Sequence, residues 1–167
     1  MFLIHFIGDI HQPLHTENLS AGGTQHHVCF DHHCSNLSLH AVWDTEILLN
    51  HVGLSRHAGD DEEKAAALEW AKALHEGHSA DFGVDGKEYT NIQTPQDCAL
   101  AWANESNSWN CKFVWNLPDS DLGGRYFIRA VPIVEDLVAK AGMRLGAWMK
   151  GLAQAAAESG ELKVQKL

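Results

Sequence analysis

The chain has 167 residues and carries 22 acidic against 12 basic side chains, which gives a formal net charge of -10. This acidity excludes the proteins that hold nucleic acid on a basic surface through counterion release. A polyanionic substrate would therefore need a bound metal ion to supply positive charge locally. No apolar run in the sequence is long enough to span a bilayer, and the length suits one domain with a hydrophobic core.

The first third of the chain predicts two helices joined by a long loop. Residues 2–12 have apolar side chains at helical spacing, and Pro13 ends or bends that helix. Residues 16–38 are polar, with paired glycines and clustered histidines, and predict a loop. Residues 39–51 predict a helix again. A loop of this length is usually functional or disordered, and we expect function because it joins two groups of candidate metal ligands.

The rest of the chain predicts further helices and hardly any strand. The elements are, in order, an alanine-rich helix at 60–76, a linker at 79–96, a helix at 96–115 that Pro118 stops, and a nearly continuous helix at 122–157. Pro132 and Gly142 kink that last helix or break it into two helices. We therefore predict an all-α fold with a single domain over residues 1–158 and a flexible tail at 159–167.

The four cysteines predict one short-range disulfide. Cys29 and Cys34 flank a short turn and can pair. Cys98 and Cys111 lie on one predicted helix, where thirteen residues rise about 20 Å. A disulfide needs Cα atoms within about 7 Å, so these two cannot bond to each other. Three glycosylation sequons add a weak indication of a secreted protein.

The start of the sequence does not read as a signal peptide. It has no basic segment, and the histidine at position 5 interrupts its apolar run. The first residues instead resemble the middle of a structural element that already carries a candidate metal ligand. We therefore expect an N-terminal portion of the domain to be missing.

Histidines and aspartates at metal-ligand spacing are the most informative feature of the sequence. His5 and Asp9 are four residues apart, as are His40 and Asp44, so each pair can lie on one helix face. Each pair alone could be a simple hydrogen-bonded pair. Two pairs and a further histidine after a proline turn, His15, favour a metal site instead. Imidazole with carboxylate is typical of zinc, and a site with an open position is catalytic.

Other histidines and tryptophans have simpler interpretations. The histidines at 26, 27, 32 and 33 are expected on the surface of the loop. Those at 51, 57, 75 and 78 have no acidic partner at useful spacing and are expected to be structural or solvated. The tryptophans at 102, 109, 115 and 148 are expected in the core.

Longer motifs carry a family resemblance. Residues 5–15 read HFIGDIHQPLH, a Gly-Gly pair follows, and residues 36–44 read NLSLHAVWD. Together with WANES at 102–106 and AKAGMRLGAW at 139–148, they strongly resemble the zinc-dependent single-strand-specific nucleases of fungi and plants. The resemblance extends from residue 2 to about residue 152.

The resemblance implies a mainly helical fold with three zinc ions at the bottom of a cleft. His5 and Asp9 match ligands of one zinc ion, and Asp9 also bridges to another. His15, His40 and Asp44 match the complete set of protein ligands of a further zinc ion. Asp9, or an aspartate upstream, would orient the attacking water as the catalytic carboxylate. The family's other ligands lie upstream of the motif and have no counterpart in this sequence.

The implied function is a secreted, monomeric endonuclease without stable membrane association. It would hydrolyse single-stranded DNA and RNA to 5′-phosphate products and would also act on 3′-nucleotides. One alternative is a zinc-dependent phospholipase C, which shares the fold and the metal cluster. The other is a truncated zinc-binding remnant that holds one zinc ion but has little activity.

Overall fold

The computed structural model describes residues 2–78, 90–118 and 121–159, and helices dominate these parts. In chain order they are α1 (Phe2–Asp9), a 3-10 turn (Pro13–Thr16), α2 (Leu39–Ala41), a π-helical turn (Val42–Glu46), α3 (Ile47–His51), α4 (Asp60–His78), α5 (Pro95–Trp109), a second π-helical turn (Asn110–Val114) and α6 (Arg125–Glu158). The only extended pairings in the described parts are two isolated bridges, His27 with Ser38 and Phe30 with His33. The predicted all-α class is confirmed.

The helix α6 is continuous over nearly the range that the sequence predicts. It runs from Arg125 to Glu158 with Pro132 inside it, so the helix is not broken into two, and a kink at Pro132 or Gly142 stays a prediction. Proline removes one backbone hydrogen bond and glycine costs about 1 kcal/mol in a helix interior. Tertiary packing outweighs both, because Ile133 and Leu137 are buried in the core.

One large hydrophobic cluster joins the first half of the chain to α6. Its fully buried members come from the 3-10 turn, the helical segment 39–51, the second π-helical turn, the residues just before α6, and α6 itself: Leu14, Leu39, Val42, Ile47, Val114, Leu122 and Ala130. A smaller cluster packs α1 against α5 and α6 through Ile7, Cys98, Trp102 and Trp148. The two metal-ligand segments are therefore fixed to one common scaffold.

A buried hydrogen-bond chain inside the large cluster gives a first stability prediction. Trp43 Nε1 donates to Tyr126 Oη at 3.0 Å, and that hydroxyl donates to the carbonyl of Val114 at 2.8 Å. The Tyr126→Phe variant leaves a buried donor and a buried acceptor unpaired. We expect it to lower the free energy of unfolding by about 1–3 kcal/mol in urea denaturation. A loss below about 0.5 kcal/mol would contradict this role.

The long loop is closed by the predicted disulfide and held by one carboxylate against the segment that precedes α6. Cys29 and Cys34 are bonded, with Cα atoms 4.1 Å apart. Asp121 accepts the backbone N–H groups of Asp31, His32 and Gly123, two of them at 2.7 Å. Cys98 and Cys111 are free, as expected for two cysteines that cannot reach each other. The predicted linker falls largely on residues 79–89 and the predicted tail on residues 160–167, which lie outside the described residues.

Candidate metal centre

The 3-10 turn places His15 and also reaches across to Asp44. Pro13 occupies the start of this turn, where a missing N–H costs nothing. The Gln12 side chain accepts the N–H of Leu14 at 2.5 Å and so caps the turn. Its amide Nε2 donates to Asp44 Oδ1 at 2.8 Å. The QPLH motif therefore builds the turn and links it to the second ligand segment.

The Gly-Gly pair and the start of α2 place His40. Ser38 caps α2 by accepting a backbone N–H three residues along the chain at 3.2 Å. His40 Nδ1 donates to the carbonyl of Gly22 at 2.7 Å. Gly22 has φ of +62° and Gly23 has φ of +80°, a left-handed region that favours glycine. A Cβ atom at Gly22 would also lie 2.8 Å from the carbonyl oxygen of Leu14.

His15, His40 and Asp44 converge into a three-donor group. His15 Nε2 lies 3.2 Å from Asp44 Oδ1, and His40 Nε2 lies 3.1 Å from Asp44 Oδ2. One donor atom from each residue can be chosen so that all lie within 4.8 Å of one another. Both rings use Nδ1 to donate to a backbone carbonyl, from His15 to Asp9 at 3.0 Å and from His40 to Gly22. This leaves Nε2 of each ring as the nitrogen that faces Asp44 and can bind a metal ion, which is how metal-binding histidines are oriented.

The electrostatics of the group suit a cation. The hydrogen bond to the Asp44 carboxylate raises the pKa of His15, although partial burial works in the opposite direction. Partial burial tends to raise the pKa of Asp44, but the hydrogen bonds from His15 and Gln12 outweigh it and lower the pKa. Asp44 is therefore an anion at neutral pH. It can be neutralised by a protonated imidazole or by a metal ion that displaces the proton.

His5 and Asp9 lie beside this group without joining it. Both line the same cleft of about 400 Å³ as His15 and Asp44. The His5 side chain is exposed. Asp9 Oδ1 lies 3.0 Å from His15 Nδ1, so its carboxylate contacts the back of a candidate ligand. In the described residues the structure thus groups three of the five predicted ligands, and the other two remain predictions.

Several polar partners were not predicted. The role of Gln12 in holding Asp44 escapes a search for metal-ligand spacing, although the residue stands in the quoted motif. His51 was expected to lack an acidic partner, but its Nε2 lies 3.1 Å from Glu135 Oε1 on α6. His11, which was not assigned as a ligand, is buried and bonded to Arg144. Such partners are far apart in the chain, so sequence spacing gives no signal for them.

Comparison with known proteins agrees with the site. The family model described as S1/P1 Nuclease matches residues 1–154. The chain is 34% identical to Nuclease S1 of Aspergillus oryzae over an alignment of 160 positions, with 89% of this chain and 52% of that protein covered. It is 34% identical to Nuclease P1 of Penicillium citrinum over 157 residues, with 89% of this chain and 55% of that protein covered. It is 35% identical to Endonuclease 4 of Arabidopsis thaliana over 151 residues, with 88% of this chain and 48% of that protein covered.

The chain spans about half the length of the curated relatives that it matches. Across the described residues, no helix combines the length and the apolar character that crossing a membrane requires. These relatives carry nuclease names, which favours the nuclease prediction over the phospholipase C alternative. The matched family model extends over most of the chain and includes every residue of the three-donor group. The chain belongs to the S1/P1 nuclease family.

Proposed function

We propose that this chain carries a zinc site of a nuclease that hydrolyses single-stranded DNA and RNA to 5′-phosphate products and also acts on 3′-nucleotides. The observation that carries the proposal is the orientation of the two imidazoles. His15 and His40 both direct Nε2 at the Asp44 carboxylate, while a backbone carbonyl holds each Nδ1. Two nitrogens and one carboxylate with an open fourth position are typical of catalytic zinc.

The residues fit zinc, and each has a defined task. His15, His40 and Asp44 would hold one zinc ion, and His5 with Asp9 would supply ligands to the others implied by the family resemblance. When bound, zinc supplies a water molecule of lowered pKa and positive charge for the phosphate oxygens. Gln12 keeps Asp44 in place by its hydrogen bond of 2.8 Å. Asp9 is the carboxylate proposed to orient the attacking water.

The cleft also has a wall suited to an unpaired base. The lining of the cleft includes apolar residues of α3 and α6: Leu48, Val134, Leu137, Val138 and Ala141. An apolar surface accepts the face of an unstacked base, whereas a paired base in a duplex is not available to it. This supports a preference for single strands. A secreted, monomeric protein is part of the proposal, and the disulfide between Cys29 and Cys34 supports an oxidising compartment.

The proposal is tested on the purified chain with single-stranded DNA and with a duplex of the same sequence. We expect zinc-dependent cleavage of the single strand, with 5′-phosphate ends on the products, and loss of cleavage when a chelator removes the metal. Vesicles of phosphatidylcholine serve as the control substrate and are expected to stay intact. Tight zinc binding without cleavage would identify the chain as a zinc-binding remnant. Release of phosphocholine from the vesicles would favour the phospholipase alternative.

A further inference from the structure

A buried side-chain bond closes the end of α1 next to a predicted ligand. The last carbonyls of a helix have no partner within the helix. Here the N–H of His11 bonds to the carbonyl of Gly8 at 3.1 Å, and the ring Nδ1 of His11 donates to the carbonyl of Ile7 at 2.6 Å. The carbonyl of Asp9 accepts from His15 Nδ1 at 3.0 Å. His11 is therefore part of the structure that shapes residues 9–15.

The other ring nitrogen of His11 is held by an arginine. Arg144 Nη1 lies 2.7 Å from His11 Nε2. An arginine can only donate hydrogen bonds, so Nε2 accepts and Nδ1 carries the proton. The His11 side chain is 3% exposed, and burial lowers its pKa to about 4. A neutral His11 ring can therefore donate from Nδ1 to the carbonyl of Ile7 and accept at Nε2 from Arg144 at the same time.

Arg144 is itself fixed by α5 and α6. Its Nη2 lies 2.7 Å from Glu105 Oε2, and its guanidinium sits over the ring of Trp102 at 5.7 Å. Glu105 Oε1 accepts from Lys140 Nζ at 2.5 Å. The partly buried carboxylate is thus shared by two cations, and hydrogen bonds to such charged groups are worth more than neutral ones. Because the network is anchored on two long helices, it gives His11 a rigid support.

We propose that Arg144, acting through His11, is a positioning residue for the zinc site. The inference rests on the proposed zinc function of His15, His40 and Asp44. The pair fixes the turn between α1 and the 3-10 turn, and thereby the geometry in which the Asp9 carbonyl holds the His15 ring. Residues that orient metal ligands typically change metal affinity by about 10–100-fold when they are replaced. His11 and Arg144 are not members of the three-donor group, so this effect on zinc would be indirect.

The test measures zinc affinity of the full chain by competition with a chromophoric chelator. We expect the His11→Phe and Arg144→Met variants each to bind zinc about tenfold more weakly. The double variant is expected to be no worse than either single variant, because both remove the same interaction. The His11→Gln variant keeps one donor and one acceptor and is expected to recover most of the affinity. Additive losses in the double variant would overturn the proposal.

A matched control separates positioning from general destabilisation. The His51→Phe variant breaks the contact of 3.1 Å between His51 and Glu135, which also ties a histidine to α6. It is expected to lower the melting temperature and leave zinc affinity unchanged. An equal loss of zinc affinity in His51→Phe would show that the effect of His11→Phe is only a stability effect.

Hydrogen exchange provides a readout that does not depend on zinc. The amides of Gln12 and His15 bond to the carbonyls of Asp9 and Gln12, each at 3.1 Å. We expect both amides to exchange faster in Arg144→Met than in the unchanged chain. Unchanged exchange would overturn the positioning role. If the unchanged chain fails to bind zinc, the proposed function is contradicted. Hydrogen exchange then decides by itself whether Arg144 positions the turn.

Discussion

Replacing Asp44 with asparagine is expected to weaken zinc binding by the chain by at least about 100-fold. Asp44 supplies the only carboxylate of the three-donor group found in the described residues, and both imidazoles point at it from 3.1 and 3.2 Å. Asparagine keeps the shape and can still bond to Gln12, but it removes the negative charge that a dication needs. The affinity is measured by competition with a chelator, and the unchanged chain is expected to bind at least one zinc ion tightly.

The matched control for this variant is Asp31→Asn on the exposed disulfide turn. Both replacements remove one negative charge, so they change the overall field of the protein equally. Only the charge removed at Asp44 is expected to lower the zinc affinity. If Asp44→Asn and Asp31→Asn bound zinc as tightly as the unchanged chain, the three-donor group could not be the metal site.

The helical segment that carries His40 and Asp44 was predictable because local rules agree there. Val42, Trp43 and Ile47 recur at helical spacing, and all three are buried in the structure. The observed helical segments run without a gap from residue 39 to residue 51, as predicted. A spacing of four residues then brings His40 and Asp44 together whatever the rest of the fold does.

The contribution of His15 could not be predicted from spacing. It reaches Asp44 only because the loop returns the chain to the 3-10 turn, a tertiary arrangement for which family resemblance was the sole guide. The bond between His11 and Arg144 was not predicted at all, because the two residues are 133 positions apart in the chain. Pro132 shows a different limit of sequence reasoning. A proline is a strong local signal for a helix end, but core packing keeps α6 continuous through it. Local sequence patterns predicted the helices, whereas contacts between residues far apart in the chain determine the geometry of the site.

The Gly22→Ala variant is expected to damage stability and zinc binding together. The backbone at Gly22 has φ of +62°, which costs an L-residue about 1–2 kcal/mol. The new Cβ would in addition lie 2.8 Å from the carbonyl oxygen of Leu14, so the loop must shift. That shift moves the carbonyl that holds His40 Nδ1 at 2.7 Å and so misdirects a proposed ligand. Urea denaturation measures the first effect, and chelator competition measures the second.

Gly53→Ala isolates the part of the effect that comes from backbone conformation. Gly53 has φ of +71°, but a Cβ atom there would meet nothing within 4 Å. The conformational cost of about 1–2 kcal/mol is therefore shared by the two variants, whereas the clash and the link to His40 belong to Gly22 alone. We expect Gly53→Ala to lower the free energy of unfolding by that shared amount and to leave zinc affinity unchanged. Equal losses of both quantities in the two variants would mean that the carbonyl of Gly22 does not position His40 for the metal.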